Sequence, residues 1–383
     1  MSRILILGGG FAGFWAALAA RRVAGSEAEV SLVSRTPVLE MRPRLYEANP
    51  ETLGVDLRAP LGAAGIGFVE GEATGLDIGA RRLMLASGVL TYDRLVVATG
   101  SAMRRPPLPG AEQAYSIDTQ AEAVRFDRRL AEGVTSVAVV GAGFTGIELA
   151  LELRDRVAAH GGDGECLKIV LIDRAPEVGA ELGSGPRPTI AAALAAARVE
   201  LRLGASVTSL DGAQVGFADA RTLAVGAVVL TTGMIAADFV CHVPGERDRL
   251  GRLVVDRTLR VPAAPDVFVT GDAAAADTGN GNLALQSCQH ALQLGRFAGE
   301  NAARDLMGMP LIDYAQPRYV TCLDLGRAGA VLTEGWNRAV QKSGAEAKTI
   351  KRRINTQAIY PPPGAPGEAL LAMSHTDPAK RPT

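Results

Sequence analysis

Arg3–Arg22 reads RILILGGGFAGFWAALAARR, and Ser136–Asp155 reads SVAVVGAGFTGIELALELRD. Each is a short apolar run, a Gly-x-Gly-x-x-Gly turn and an alanine- and leucine-rich helical segment. Gly8, Gly10 and Gly13 of the first copy are matched by Gly141, Gly143 and Gly146 of the second, each 133 positions later. The same spacing separates Leu95–Gly100, LVVATG, from Val228–Gly233, VVLTTG. One such fingerprint is weak evidence, but two, each closed by a matching strand-Thr-Gly at one fixed spacing, are strong. The first glycine permits the tight strand-to-helix turn. The second lets backbone approach a pyrophosphate, and the third lets helix and strand pack closely. The helix N-terminus then offers free N–H groups and a positive dipole end to the phosphates. The chain reads as α/β, with two Rossmann-like dinucleotide-binding domains.

The 383 residues suffice for two or three domains. A net charge of −1 advertises no nucleic-acid partner. Cys166, Cys241, Cys288 and Cys322 form no C-x-x-C pair, which argues against a disulfide scaffold, a zinc site or a dithiol centre. The four histidines lack ligand spacing, so no metal is expected. The longest apolar candidate, Leu223–Val243, is broken by Gly233, Asp238 and His242, so no span of a bilayer is expected. A cytoplasmic protein, soluble or peripheral, is the simplest expectation.

Taken in order, residues 3–7 read as a strand, 11–24 as a crossover helix and Glu29–Val33 as a second strand. An acid usually ends that strand and binds the adenosine ribose. Ser34 and Arg35 stand there instead: the serine can bond a hydroxyl, and the arginine can lie over adenine or reach a phosphate. Arg42 and Arg44 fall on a loop near the inner part of the cofactor. Phe68–Asp77, Arg82–Ala86 and Thr91–Tyr92 read as a small β-meander. Arg105–Gly110, proline-rich, marks the first domain crossing. In the second copy Asp173 ends the strand Lys168–Ile172, where a carboxylate accepts from both ribose hydroxyls and repels a 2′-phosphate. This predicts NADH over NADPH, although Arg174 softens the repulsion. Val267–Thr270 runs into Gly271 and Asp272 at a strand's carboxyl end, and Leu283–Met307 reads as a long helix. The expected division is 1–107 with 239–315, then 108–238, then an α+β extension, 316–383, with a basic helix at Ser343–Asn355 and a frayed end.

These residues resemble the two-dinucleotide-domain flavoproteins of glutathione-reductase-like fold, and most closely the type II NADH dehydrogenases. The resemblance covers roughly residues 3–335. It implies FAD in the first domain, held by Gly8, Gly10, Phe11, Ala12, Gly13, Ser34, Arg35, Arg42, Thr99, Gly100, Gly271 and Asp272. It implies NAD(H) in the second, held by Gly141, Gly143, Gly146, Asp173 and Gly233. Glu148, in GAGFTGIELA, matches the family glutamate beside the nicotinamide face. Cys288–Gln293, CQHALQ, is similar to the family's A-Q-x-x-x-Q quinone motif, with cysteine replacing alanine. Gln289 and Gln293 lie four apart on one helix face. The implied reaction is hydride transfer from NADH to FAD, then electron transfer to a quinone. Here the family's membrane-binding helices are missing or shortened. Lys342, Lys348, Lys351, Arg352 and Arg353 can instead touch an anionic membrane face or a second copy of the chain.

Other readings use the same residues. A ferredoxin-reductase-like or biosynthetic flavoenzyme shares the fold and cofactors. A sulfide:quinone oxidoreductase would need flavin-flanking cysteines, for which Cys288 and Cys322 are the only candidates. A redox sensor would hold the dinucleotides without turnover.

Overall fold

Both fingerprints sit where a parallel sheet hands over to a helix. In the computed structural model, which describes residues 1–211 and 213–382, Ser2–Leu7 is a central strand of a six-stranded sheet. Ala28–Ser34 and then Gly67–Glu70 lie on one side of it, with Arg94–Val97 and Ala264–Val269 on the other, all parallel. Arg260–Val261 adds an antiparallel edge. Ile4, Leu5, Ile6 and Leu7 are all buried. Burial on both faces is why this strand reads as a continuous apolar run rather than an alternation. The second sheet repeats the plan: Ser136–Val140 runs between Lys168–Ile172 and Ala227–Leu230, with Glu200–Arg202 and Tyr115–Ser116 outermost, all parallel. The fingerprint helices are α1, Phe11–Ala24, and α2, Phe144–Ala159.

Each half carries a three-stranded antiparallel meander, Ala73–Thr91 in the first and Val207–Ala224 in the second. The segment expected as one strand, Phe68–Asp77, is two. Gly67–Glu70 belongs to the parallel sheet and Ala73–Asp77 opens the meander, because Gly71 turns back to donate its N–H to the Ser34 carbonyl at 2.9 Å. Just before each expected domain crossing a short strand forms, and the two pair: Ser101–Met103 runs antiparallel to Met234–Ala236, with Ala102 opposite Ile235.

Helix α3, Cys288–Leu306, starts five residues later than the apolar periodicity predicts. Ser287 caps it, its Oγ accepting from the His290 N–H. A hydroxyl cap outcompetes weak apolar periodicity at 283–286, where Leu283 bridges to Asp277 instead. Helix α3 crosses α1 closely. A Cβ on Gly295 would collide with the Ala12 carbonyl, and one on Gly299 with that of Ala16.

The extension begins with the antiparallel strands Val320–Asp324, Ala330–Glu334 and Ala339–Ser343. Helix α4, Gly344–Arg353, follows and ends in a π turn at Ile354–Ala358. The frayed end expected after it is instead docked. Helix α5, Gly367–Met373, buries Leu370, and Thr376 donates to Glu300, which also pairs with Arg22. Ile359 and Leu370 seat the tail on the core, and the polar contacts to Glu300 fix its end, a combination that periodicity does not reveal.

Candidate active site

The two cradles are built alike. Gly8 has φ +116° and Gly141 has φ +115°, and a Cβ on them would strike the carbonyls of Ala98 and Thr231, themselves 133 positions apart. Likewise Gly13 packs on the Gly8 carbonyl and Gly146 on that of Gly141. Gly10 and Gly143 are the N-caps of α1 and α2, with no side chain closing the free N–H groups. Around a Cβ on Gly10 nothing lies within 4 Å, so the Phe11 and Ala12 end of α1 is open to an anion.

Beside the first cradle, Thr99 and Thr270 carry buried hydroxyls with no protein partner. Each stands at the carboxyl end of a strand, next to Gly100 and Gly271. Asp272 follows, its carboxyl raised by burial despite accepting from Ser101 Oγ at 2.7 Å. Unmet buried hydroxyls and an open phosphate cradle fit a flavin dinucleotide. Ser34 lies against Gly9, its Oγ 2.7 Å from where a Cβ there would sit, and Arg35 is exposed beyond it.

Arg42, expected on the cofactor side of its loop, is tied to the domain crossing. It pairs with Asp118 and donates to the Asp118 carbonyl at 2.9 Å and the Ser101 carbonyl at 3.0 Å. It bears on the cofactor side through Ser101, whose Oγ donates to Asp272. Gly100 and Gly233 anchor the same crossing, their carbonyls accepting from Ala237 at 3.0 Å and Arg104 at 2.8 Å. In the second copy Asp173 pins the fingerprint loop, accepting from the Ala142 N–H at 2.6 Å and the Ala175 N–H at 2.8 Å.

Glu148, on α2, is buried, and burial raises its carboxyl to about 7. Two groups of the extension address its Oε1: the Asp324 N–H at 2.8 Å and Lys351 Nζ at 2.8 Å. Oε2 is left as the atom that can take a proton. Lys351 is itself buried, with Nζ 5.5 Å from the Tyr46 ring centre and 5.6 Å from that of Phe144, and Glu148 raises its pKa. Asp324 accepts from Lys348 and from Tyr46 Oη at 3.2 Å. Asn355 donates to Tyr46 Oη at 3.2 Å and to Glu47 at 2.8 Å. Neighbouring Glu152 is also raised by burial to about 7.

Gln289 and Gln293 project from α3 one turn apart but turn to different neighbours. Gln289 Oε1 accepts from the Val320 N–H at 3.4 Å. Gln293 accepts from Arg381 at 2.7 Å and donates to the Thr376 carbonyl at 3.4 Å, at an open cleft of about 430 Å³ shared with Phe297, Pro317 and Pro378. Between them His290 is buried, 2.9 Å from Ser287 Oγ through Nδ1 and stacked on Tyr319. Burial lowers it to about 4, so it is neutral at physiological pH. Burial pushes the Cys288 and Cys322 thiols up to about 11.

The sequence reading missed Lys351, Asp324, Tyr46 and Ser101. Nothing in the sequence marks Lys351: it follows Ala347 by four residues, and only the fold turns that face of α4 inward.

The described helices include none long and apolar enough to cross a membrane. The family model for pyridine nucleotide-disulphide oxidoreductases matches residues 2–295. An NADH dehydrogenase-like protein of Mycobacterium tuberculosis is 43% identical over 98% of both chains. The demethylphylloquinone reductase NdbB of Synechocystis is 27% identical over 92% of this chain and 91% of its own. In fold, the chain is similar to the sulfide:quinone oxidoreductase of Aquifex aeolicus. That comparison gives a TM-score of 0.76 and 18% identity over 93% of this chain and 90% of that one. With its duplicated cradles and matching family model, the chain belongs to the pyridine nucleotide-disulphide oxidoreductases, enzymes that use FAD and NAD(H).

Proposed function

We propose that this chain oxidises NADH at FAD and passes the electrons to a quinone-type small molecule. The observation that carries the reading is the state of the thiols. Cys288, at the start of α3, and Cys322, near Lys351, are held as neutral thiols by burial. A thiol near 11 is a poor nucleophile at neutral pH, which argues against a sulfur relay through either cysteine. A diffusible acceptor fits this arrangement: Gln289 offers its amide to a carbonyl oxygen, while Gln293, bonded to Arg381 and Thr376, borders a separate open cleft. The likeness to demethylphylloquinone reductase supports the same acceptor class.

FAD, when bound, supplies the two-electron relay between nicotinamide and acceptor. The chain's residues bind and orient. Gly8, Gly10 and Gly13 shape the first cradle, where Phe11 and Ala12 offer N–H groups to the pyrophosphate. Ser34 and Arg35 take the adenosine, while Thr99, Gly100, Gly271 and Asp272 take the flavin side. Arg42 positions Ser101, which holds Asp272. Gly141, Gly143, Gly146 and Gly233 shape the second cradle, and Asp173 accepts from the ribose of NADH. Glu148 holds a proton at Oε2, beside Lys351.

Membrane contact through α4 retains little support. Lys342 pairs with Glu346, Lys348 with Asp324 and Lys351 with Glu148, which leaves Arg352 and Arg353 as its exposed, unpaired cations among the described residues. Each is worth about 1 kcal/mol at an anionic surface.

The test is anaerobic. Purified protein loaded with FAD should bleach on adding NADH, then recover its absorbance with short-chain quinones faster than with ferredoxin or polysulfide. Recovery by ferredoxin alone would sink the quinone assignment.

A further inference from the structure

The two cradles agree in their glycine-to-carbonyl contacts and differ in what faces the second glycine. Gly10 looks into open space, whereas a Cβ on Gly143 would come 2.6 Å from Glu181 Oε1. Glu181 is exposed and lies on the single turn Ala180–Leu182, flanked by left-handed glycines, Gly179 at φ 59° and Gly183 at φ 76°. Leu182 is buried and roots the turn, so the glutamate is presented at the mouth of α2 rather than left on a free loop.

Neighbouring carboxylates have partners within the protein. Asp173 accepts two backbone N–H groups, and Glu177 pairs with Arg187 at 2.6 Å. Among the described residues Glu181 has no cation partner. A carboxylate is favoured beside a helix N-terminus by the dipole there. The pyrophosphate of NAD(H) is drawn to the same place by the same field. Both are anions, so the cradle does not hold them together without repulsion.

We infer that Glu181 stands in for the dinucleotide phosphates between turnovers and swings aside on its glycine-flanked turn when NADH binds. It is a positioning residue that sets the affinity of the second cradle and takes no part in the chemistry. The inference rests on the reading that this cradle takes NAD(H).

Calorimetric titration of the FAD-loaded protein with ADP-ribose tests it without turnover. Glu181→Gln is isosteric and removes the charge, so ADP-ribose should bind about two- to fivefold more tightly, in the range of one exposed charge–charge contact. The KM for NADH should fall by a similar factor with kcat unchanged. Glu177→Gln, on the same loop but paired with Arg187, should bind as the wild type does, which separates position from net charge. Equal or weaker binding by Glu181→Gln overturns the inference. Absence of ADP-ribose binding in wild type and variant alike overturns the assignment of the cradle itself.

Discussion

Glu148 concentrates the chemistry of single residues. Its carboxyl stands near 7 in the folded protein against 4.5 ordinarily, chiefly because burial disfavours the charged form. A folded pKa above the unfolded one means that folding favours the protonated group. The stabilisation is complete below about 4.5 and is lost as pH rises through about 7. Denaturation of wild type against Glu148→Gln should therefore show the wild type losing ground between pH 5 and 8. The pH profile of NADH-driven bleaching should carry an inflection near 7 that Glu148→Gln lacks. A parallel pair of profiles would refute the proton-handling role. Lys351→Met probes the other partner. It strands a buried carboxylate and should cost about 3 kcal/mol at pH 8. At pH 6 the cost should be smaller, because Glu148 takes up a proton and needs no counter-charge. Guanidinium midpoints at the two pH values measure the difference. Glu148 was legible in the sequence because it sits at a fixed place in a fingerprint. Lys351 was not, because one lysine in a basic run carries no mark of which side faces in. Only the packing of α4 on Val320–Asp324 turns it toward Glu148.

At the scale of elements, the crossing of α3 on α1 is the contact on which the first cradle depends. Gly295 and Gly299 let the helices approach until the Ala12 and Ala16 carbonyls occupy the space of a Cβ. Ala12 belongs to the fingerprint, so pushing the helices apart moves the cradle. Gly299→Ala should destabilise by about 2 kcal/mol through overpacking. Gly295→Ala should in addition weaken FAD retention on gel filtration, since it strikes Ala12 directly. If Gly295→Ala keeps its flavin as wild type does, the crossing does not shape the cradle. The fingerprints themselves were readable because glycine spacing and strand-Thr-Gly are local, and the duplication marks them twice. The ribbon of Ser101–Met103 with Met234–Ala236 was not readable, although its central pair, Ala102 and Ile235, is separated by the same 133 positions. Pairing across the halves depends on the relation of the two domains in space, which periodicity within either one does not encode. The start of α3 at Cys288, five residues after the expected Leu283, has a local cause: the Ser287 hydroxyl caps the helix there.

For the molecule as a whole, the extension decides whether the two dinucleotide domains behave as one body. It touches both. Arg327 pairs with Asp155 and Glu165 of the second domain, and Lys351 pairs with Glu148. On the first domain's loop, Asp324 accepts from Tyr46, Asn355 donates to Glu47, and Arg44 donates to Tyr360 at 2.7 Å. The Arg327 pairs are exposed and worth little. The buried contacts centred on Asp324 are not. Asp324 is 5% exposed and takes bonds from Lys348, Tyr46 and the Gly326 N–H at 2.8 Å. Asp324→Ala leaves the lysine and the tyrosine hydroxyl without their acceptor and should cost about 3 kcal/mol. Because one of the lost contacts, Tyr46 to Asp324, ties the first domain to the extension, the damage should be to cooperativity as well as stability. Wild type should unfold in one transition, with flavin release and loss of far-ultraviolet circular dichroism coincident. In Asp324→Ala the flavin should leave at a lower temperature than that at which secondary structure melts, as one domain opens while the other persists. Coincident curves in the variant, shifted or not, would mean that the two domains are coupled by the ribbon between them and that the extension is a passenger.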